Sequence, residues 1–124
     1  MKQKILIVDD DSTIRSLVNI TLVGAGYDVV EADDAFTALS YLKKTKFNLI
    51  IMDVNMPNMD GITCSAKIKN EADYVENKDV PIVMLTVEGD DEMKARGKQA
   101  GAKAWIIKPF MPDILISVVQ KMLK

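Results

Sequence analysis

The chain contains no histidine. That absence removes imidazole as a general base, as a zinc ligand and as a phosphate carrier, so any chemistry has to run on carboxylates, hydroxyls and lysine. Cysteine is nearly absent as well: Cys64 stands alone, which excludes an internal disulfide and predicts an inert helix residue. No apolar run approaches the roughly 18–20 residues of a membrane span, and no signal-peptide pattern is present. A cytoplasmic location without membrane contact is therefore expected. A basic stripe is missing too. Lys and Arg number 16 against 18 Asp and Glu, interspersed for a net charge of -2, which argues against direct contact with nucleic acid.

What is present is one core's worth of apolar sequence. The 124 residues are 48% hydrophobic, enough for one ordinary domain and too few for two, so residues 1–124 are read as a single domain. Its organising stretch is Phe47 to Gly61, in which the apolar run Leu49 to Met52 drives into Asp53 and then into turn residues Pro57, Asn58, Asp60 and Gly61. An unbroken apolar run predicts a strand buried on both faces, with Asp53 at its carboxyl end.

The same unit recurs along the chain. Ile5 to Val8 predicts a first strand, followed by Asp9, Asp10 and Asp11, with Ser12 as N-cap of a helix whose apolar positions are Ile14, Leu17, Val18, Thr21, Leu22 and Ala25. Gly26 closes that helix. Asp28 to Ala32 reads as a second strand, and Asp33 or Asp34 caps a second helix ending in Lys43 and Lys44. A third helix runs from about Asp60 to Asn70, carrying Cys64, and the polar stretch Glu71 to Asp79 is expected to be a surface loop. Val80 to Leu85 forms a fourth strand with Pro81 at its start and delivers Thr86. Asp90 and Asp91 open a fourth helix closed by Gly101. Lys103 to Ile107 forms a fifth strand ending in Lys108-Pro109, and Pro112 starts a last helix buried through Ile114, Leu115, Val118, Val119 and Met122.

Alternating strands and helices imply an α/β doubly wound parallel sheet with right-handed crossovers. For a chain with only five strands the order 2-1-3-4-5 is favoured, which sets strands one and three side by side at the switch point where such sheets bind ligands. Asp9, Asp10 and Asp53 would then share one crevice, with Thr86 and Lys108 arriving from the next two strands. Carboxylates about 5 Å apart repel by roughly 3 kcal/mol per pair at an effective dielectric near 20. Lys108 offsets part of this, and an oxygen-only donor set suits a magnesium ion for the rest. With that field offset, Asp53 becomes a possible nucleophile toward phosphorus. Taken singly each signal has a blander reading. The Asp9–Asp11 run could be a capping cluster, Asp53 and Thr86 turn residues, Lys108 a solvated amine, Trp105 a packing residue and the methionines core filler.

Together, Val8-Asp9-Asp10, Asp53-Val54-Asn55-Met56-Pro57-Asn58-Met59-Asp60-Gly61, Leu85-Thr86 and Lys108-Pro109-Phe110 resemble the receiver domain of two-component response regulators, most closely the stand-alone, CheY-like subgroup. The resemblance implies a flavodoxin-like (βα)5 fold. It implies that Asp53 accepts a phosphoryl group from a phosphohistidine on a partner histidine kinase or phosphotransfer protein. Asp10 and Asp53 would ligate Mg2+ with the backbone carbonyl of Asn55, Asp9 acting largely through water, and Thr86 and Lys108 would bind the phosphoryl oxygens. Phosphorylation and dephosphorylation would be self-catalysed, the domain being a signalling phosphoacceptor rather than an enzyme acting on other substrates. Asn55 and Glu88 would tune dephosphorylation, and the Lys108-Pro109 bond would be cis. The phosphoryl charge would reshape the face of helix four, strand five and helix five for an output partner, in a monomer or a weak phosphorylation-linked dimer, with chemotaxis one setting. Two departures fall there: Trp105 stands where tyrosine or phenylalanine is usual, and Val87 where a small residue is usual, so crowding between them is expected. Rival readings are a receiver belonging to a longer regulator, although no linker follows Lys124, a pseudo-receiver that binds without being phosphorylated, and an aspartyl-phosphate hydrolase of the haloacid dehalogenase type. The last would want a second acid where Asn55 stands.

Overall fold

The computed structural model describes residues 2–87 and 91–124, so the expectations placed on Glu88 and Asp90 lie outside the described residues. Five strands alternate with helices: β1 (Lys4–Val8), α1 (Ser12–Gly24), β2 (Asp28–Ala32), α2 (Ala35–Lys44), β3 (Leu49–Asp53), α3 (Gly61–Asn70), β4 (Ile82–Thr86), α4 (Asp91–Gln99), β5 (Ala102–Ile107) and α5 (Pro112–Met122). The strands are parallel in the order β2-β1-β3-β4-β5. This is the doubly wound, flavodoxin-like architecture. Central β3 and β4 are buried at every position, which is why they read as continuous apolar runs, whereas the edge strands β2 and β5 mix buried and exposed positions.

Successive side chains on a strand point to opposite faces, and the core divides accordingly. Leu6, Val8, Ile50, Met52, Ile82 and Met84 pack on one side with the apolar positions of α2 and α3. Ile5, Ile7, Leu49, Ile51, Val83 and Leu85 pack on the other with Val18 and Leu22 of α1 and Leu115 and Val119 of α5. Each fully buried Ile or Leu contributes about 2 kcal/mol relative to exposure, so a one-residue register slip in a central strand would be prohibitive.

Helix starts show where the aspartates are spent. Asp11, not Ser12, caps α1, its carboxylate accepting from the backbone N–H groups of Thr13 at 2.8 Å and Ile14 at 3.4 Å. Asp34 caps α2 through Thr37 N–H, and Asp60 caps α3 through Thr63 N–H, both at 2.7 Å. Carboxylate outreaches hydroxyl at the first site because Asp11 itself has the extended backbone that a cap requires. Gly26 and Gly101 take positive φ values of 100° and 106° just beyond α1 and α4.

Four further expectations are corrected. The stretch taken for a surface loop contains a 3-10 helix, Ala72–Asn77, whose Tyr74 and Asn77, three residues apart, are both buried. β4 begins at Ile82, two residues later than expected, because Pro81 has no N–H to contribute. β5 begins one residue early, at Ala102, with Lys103 as an extra residue where the pairing passes from Ile82–Ala102 to Val83–Ala104. Leu17 and Ala25, read as part of the apolar stripe of α1, and Ile114, assigned to the buried face of α5, are exposed, Leu17 at 36% and Ile114 at 50%.

Asn77 is a buried clamp. Its Oδ1 accepts from Phe47 N–H, and its Nδ2 donates to the carbonyls of Leu42 and Thr45, all at 2.9 Å, so it joins the end of α2 to the entry of β3. Truncation would strand one donor and two acceptors away from water. Asn77→Ala should lower unfolding free energy by about 3 kcal/mol in urea titrations, while Glu76→Ala, at an exposed neighbour that offers only its backbone carbonyl to Lys46, should change it by less than about 0.5 kcal/mol.

Candidate functional site

Parallel strands deliver their carboxyl ends to one rim, and the register β1–β3–β4–β5 sets the order in which side chains arrive there. Asp53 is the last residue of β3 and is buried, 4% exposed. Asp9 follows β1 and is fully buried; Asp10 beside it is exposed. One carboxylate oxygen from each of Asp9, Asp10 and Asp53 lies within 4.8 Å of the others. Lys108, arriving after β5, places Nζ 2.8 Å from Asp9 Oδ2 and 3.2 Å from Asp53 Oδ1. The structure therefore gathers these four residues from three strand ends far apart in sequence.

Each is held by backbone contacts. Asp9 Oδ1 accepts from Asp11 N–H at 2.9 Å, so both of its oxygens are engaged, and its own carbonyl accepts from Arg15 Nη1 at 2.7 Å. Arg15 also pairs with Glu31 at 3.3 Å. Lys108 N–H donates to the Thr86 carbonyl at 2.7 Å, and the Lys108-Pro109 bond is cis, as the resemblance implied. Beneath Asp53 lies Gly61. Its N–H donates to Val54 O at 2.8 Å, and a side-chain carbon there would overlap the Asp53 carbonyl oxygen.

Thr86, the last residue of β4, is buried, with its hydroxyl directed at Met93 Sδ, 3.8 Å away. Asn55 lies exposed in the segment after β3. Trp105 is half-buried and packs on the α2/α3 side of the sheet. The crowding expected between Trp105 and Val87 does not arise. Val87 is 63% exposed, and α4 makes room for the indole with Gly97, where a side-chain carbon would overlap Trp105 Cζ2. Sequence reasoning missed Arg15, Gly61, Met93 and Gly97. Only Gly61 carried a signal, as the residue closing the turn after Asp53.

Electrostatics follow from burial. Asp53 is pushed from 3.8 up to about 7, first by desolvation and then by Asp9, with Lys108 pulling the other way and Asp10 adding slightly. Burial works against the charged form of Lys108, but its bonds to Asp9 and the charge of Asp53 outweigh that and raise its pKa. Three carboxylates against one ammonium leave a negative excess. The donors are all oxygen and one of them, Asp10, is solvent-facing, so the residues fit a hydrated Mg2+. Cys64, by contrast, is buried on α3 with its thiol pushed up to about 12 by desolvation, and carries no nucleophile into the site.

A strand-end acid cluster at the switch point of a five-stranded doubly wound sheet defines a class of phosphate- and metal-handling domains. Residues 5–120 match the response regulator receiver domain, and the chain belongs to that family. Its fold is that of the chemotaxis protein CheY4 of Vibrio cholerae, with a TM-score of 0.92 and 41% identity over 99% of this chain and 100% of that one. Among curated relatives, the "Probable transcriptional regulator ycf27" of Porphyridium aerugineum is 37% identical over 99% of this chain and 49% of its own length. The phosphate regulon transcriptional regulatory protein PhoB of Escherichia coli is 34% identical over 100% of this chain and 53% of its own length. The chain thus spans about half the length of the curated relatives it matches. Receiver domains of this family are signalling modules of two-component systems, and they generally bind Mg2+ at such an acidic pocket.

The raised pKa sets a pH dependence. An acid whose folded pKa lies above its unfolded value holds its proton longer in the folded state, so ionising it costs stability as pH rises from about 4 to about 7. Asp53→Asn should therefore stabilise the metal-free protein by on the order of 3 kcal/mol at pH 8. The gain should vanish toward pH 4 in thermal melts, and millimolar Mg2+ at pH 8 should stabilise wild type more than the variant. Gly61→Ala should cost about 1–3 kcal/mol by urea titration and displace the Asp53 resonances in NMR spectra.

Proposed function

We propose that this receiver works as a phosphoryl acceptor at Asp53. The observation that carries the reading is a buried strand-end carboxylate lying 3.2 Å from a lysine ammonium inside a three-carboxylate cluster. A carboxylate oxygen of Asp53 attacks the phosphorus of a phosphohistidine on a histidine kinase or phosphotransfer protein. The P–N bond breaks, the electron pair returns to the imidazole, which takes up a proton, and an acyl phosphate remains. With no histidine in this chain, the donor is another molecule.

Lys108, 3.2 Å from Asp53, would bind a phosphoryl oxygen, and Thr86 at the adjacent strand end would bind another through its hydroxyl. Asp10, Asp53 and the backbone carbonyl of Asn55 would hold Mg2+, with Asp9 acting through water. When bound, the ion supplies charge compensation for the anionic site and the phosphoryl oxygens. Asn55 and Glu88 tune the attack of water that returns the carboxylate. The acyl phosphate adds about -1.5 to -2 charges, which draw Thr86 and Lys108 toward it and alter the face of α4, β5 and α5, where Val87 and Trp105 stand. That face carries exposed apolar side chains, Val87, Ile107, Met111 and Ile114, suited to an output protein.

Among the described residues no helix is long and apolar enough to cross a membrane. The working picture is a single cytoplasmic receiver over residues 1–124, monomeric or weakly dimeric when phosphorylated, without direct contact to nucleic acid. Two settings draw on different relatives. The match to CheY4 along its whole length supports a stand-alone regulator of chemotaxis type. The half-length match to PhoB supports a receiver that controls a separate output domain. Asn55, where a haloacid-dehalogenase-type hydrolase would want an acid, weighs against that third reading.

Acetyl phosphate with Mg2+ should add one phosphoryl group by intact mass, and beryllofluoride should shift Trp105 emission. Both effects should disappear in Asp53→Asn; persistence of either would refute the acceptor assignment. Lys108→Ala should still bind Mg2+ but lose at least about tenfold of the phosphorylation-dependent gain in partner affinity, measured by calorimetry against wild type.

A further inference from the structure

We propose that Arg15 is a positioning residue for the Mg2+ site: by holding the Asp9 carbonyl it fixes the direction in which Asp10 offers its carboxylate, and so sets the affinity of the acid cluster for the ion. The inference rests on the reading of Asp9, Asp10 and Asp53 as that site.

Asp10 is the loosely held member of the cluster. Both carboxylate oxygens of Asp9 are engaged, one by Asp11 N–H and one by Lys108, and Asp9 N–H donates to the Ala32 carbonyl at 3.2 Å. Asp53 is carried by β3 and meets Lys108. Asp10 is exposed, and among the described residues no hydrogen bond or ion pair holds its N–H or its carboxylate. What orients it is the planar peptide group that it shares with Asp9. The carbonyl of that group accepts from Arg15 Nη1 at 2.7 Å. Rotation of the plane would swing the Asp10 carboxylate while the Asp9 side chain stayed anchored.

Arg15 is itself fixed from the edge of the sheet. Its Nε lies 3.3 Å from Glu31 Oε1, and the other oxygen of Glu31 accepts from Asn19 Nδ2 at 2.9 Å. Arg15 and Asn19 stand four residues apart on α1 and therefore share the face above Glu31 of β2. The Arg15 side chain is 18% exposed, which shields its bonds from solvent more than an ordinary surface pair. A brace thus runs from β2 through α1 to the loop after β1. Only a guanidinium can make it, because its planar fork presents Nε to the carboxylate and Nη1 to the carbonyl together, whereas an ammonium is a single point.

Charge alone predicts the opposite effect. A cation beside an acid cluster competes with a metal ion, so its removal would tighten Mg2+ binding. Loss of the brace would weaken it. The sign of the change separates the two.

The test is calorimetric titration of the full chain with Mg2+ at fixed ionic strength. Arg15→Ala should weaken binding about tenfold. Arg15→Lys, which keeps the charge, should weaken it nearly as much, and the Asp10 amide resonance of the metal-free protein should shift in both variants. Glu31→Ala should weaken binding in the wild-type background but add little to Arg15→Ala, since it acts through Arg15. A role confined to stability would lower the urea midpoint and leave the Mg2+ affinity of the folded protein unchanged. Unchanged or tighter binding in Arg15→Ala, or full affinity in Arg15→Lys, would overturn the inference while leaving the site intact if Asp53→Asn still weakens Mg2+. Affinity unaltered by Asp53→Asn would remove the site and this inference with it.

Discussion

Everything at the active rim depends on one ammonium shared between two buried carboxylates. Lys108 sits 2.8 Å from Asp9 and 3.2 Å from Asp53, and it offsets part of the negative charge that these two buried carboxylates bring together. Even so the balance is incomplete, since desolvation and Asp9 together outweigh Lys108 and leave Asp53 titrating near neutrality. A buried acid poised in this way is costly because water has been removed and the protein has not fully replaced it. The backbone bond from Lys108 to the Thr86 carbonyl, 2.7 Å, fixes the amine to the next strand, so the charge balance is tied to the sheet register.

The many aspartates at this rim divide into two groups with different work. Asp11, Asp34 and Asp60 satisfy the open N–H groups at the starts of α1, α2 and α3. Asp9, Asp10 and Asp53 have no helix to cap and converge on one another instead. Both groups exist because helices begin where parallel strands end, so cap acids and site acids share a neighbourhood. Lys94, Lys98 and Lys103 of α4 and β5 line a groove away from this rim, beside a depression that holds Lys69, Lys78 and Asp79.

The fold was legible in the sequence wherever burial was continuous. β3 and β4, buried on both faces, wrote themselves as unbroken apolar runs, and the acid, hydroxyl and amine after them marked the rim. What could not be read was set by contacts between distant segments. The 3-10 helix is anchored by Tyr74 and by Asn77, whose partners lie 30 to 35 positions away, and no local pattern announces such a clamp. Arg15 braces Asp9 from a helix position that looks like any other surface arginine. Ile114 fits the apolar period of α5 yet faces out at 50% exposure, because periodicity reports a stripe and not its width. Membership of the receiver family rested on motifs from the whole chain and is shared by stand-alone and two-part relatives alike.

Gly97 gives α4 a property that its neighbours lack. It is the one buried position within that helix, and it meets the edge of the Trp105 ring at Cζ2 with no side chain to interlock. A helix seated through interdigitating side chains must leave a void behind when it shifts, at a cost set by the volume emptied. A contact made through bare backbone against a ring edge leaves less. At this one contact a shift of α4 would therefore empty little volume, whereas Met93, packed on the core beside Thr86, is the point at which a side chain of the helix interlocks with the sheet.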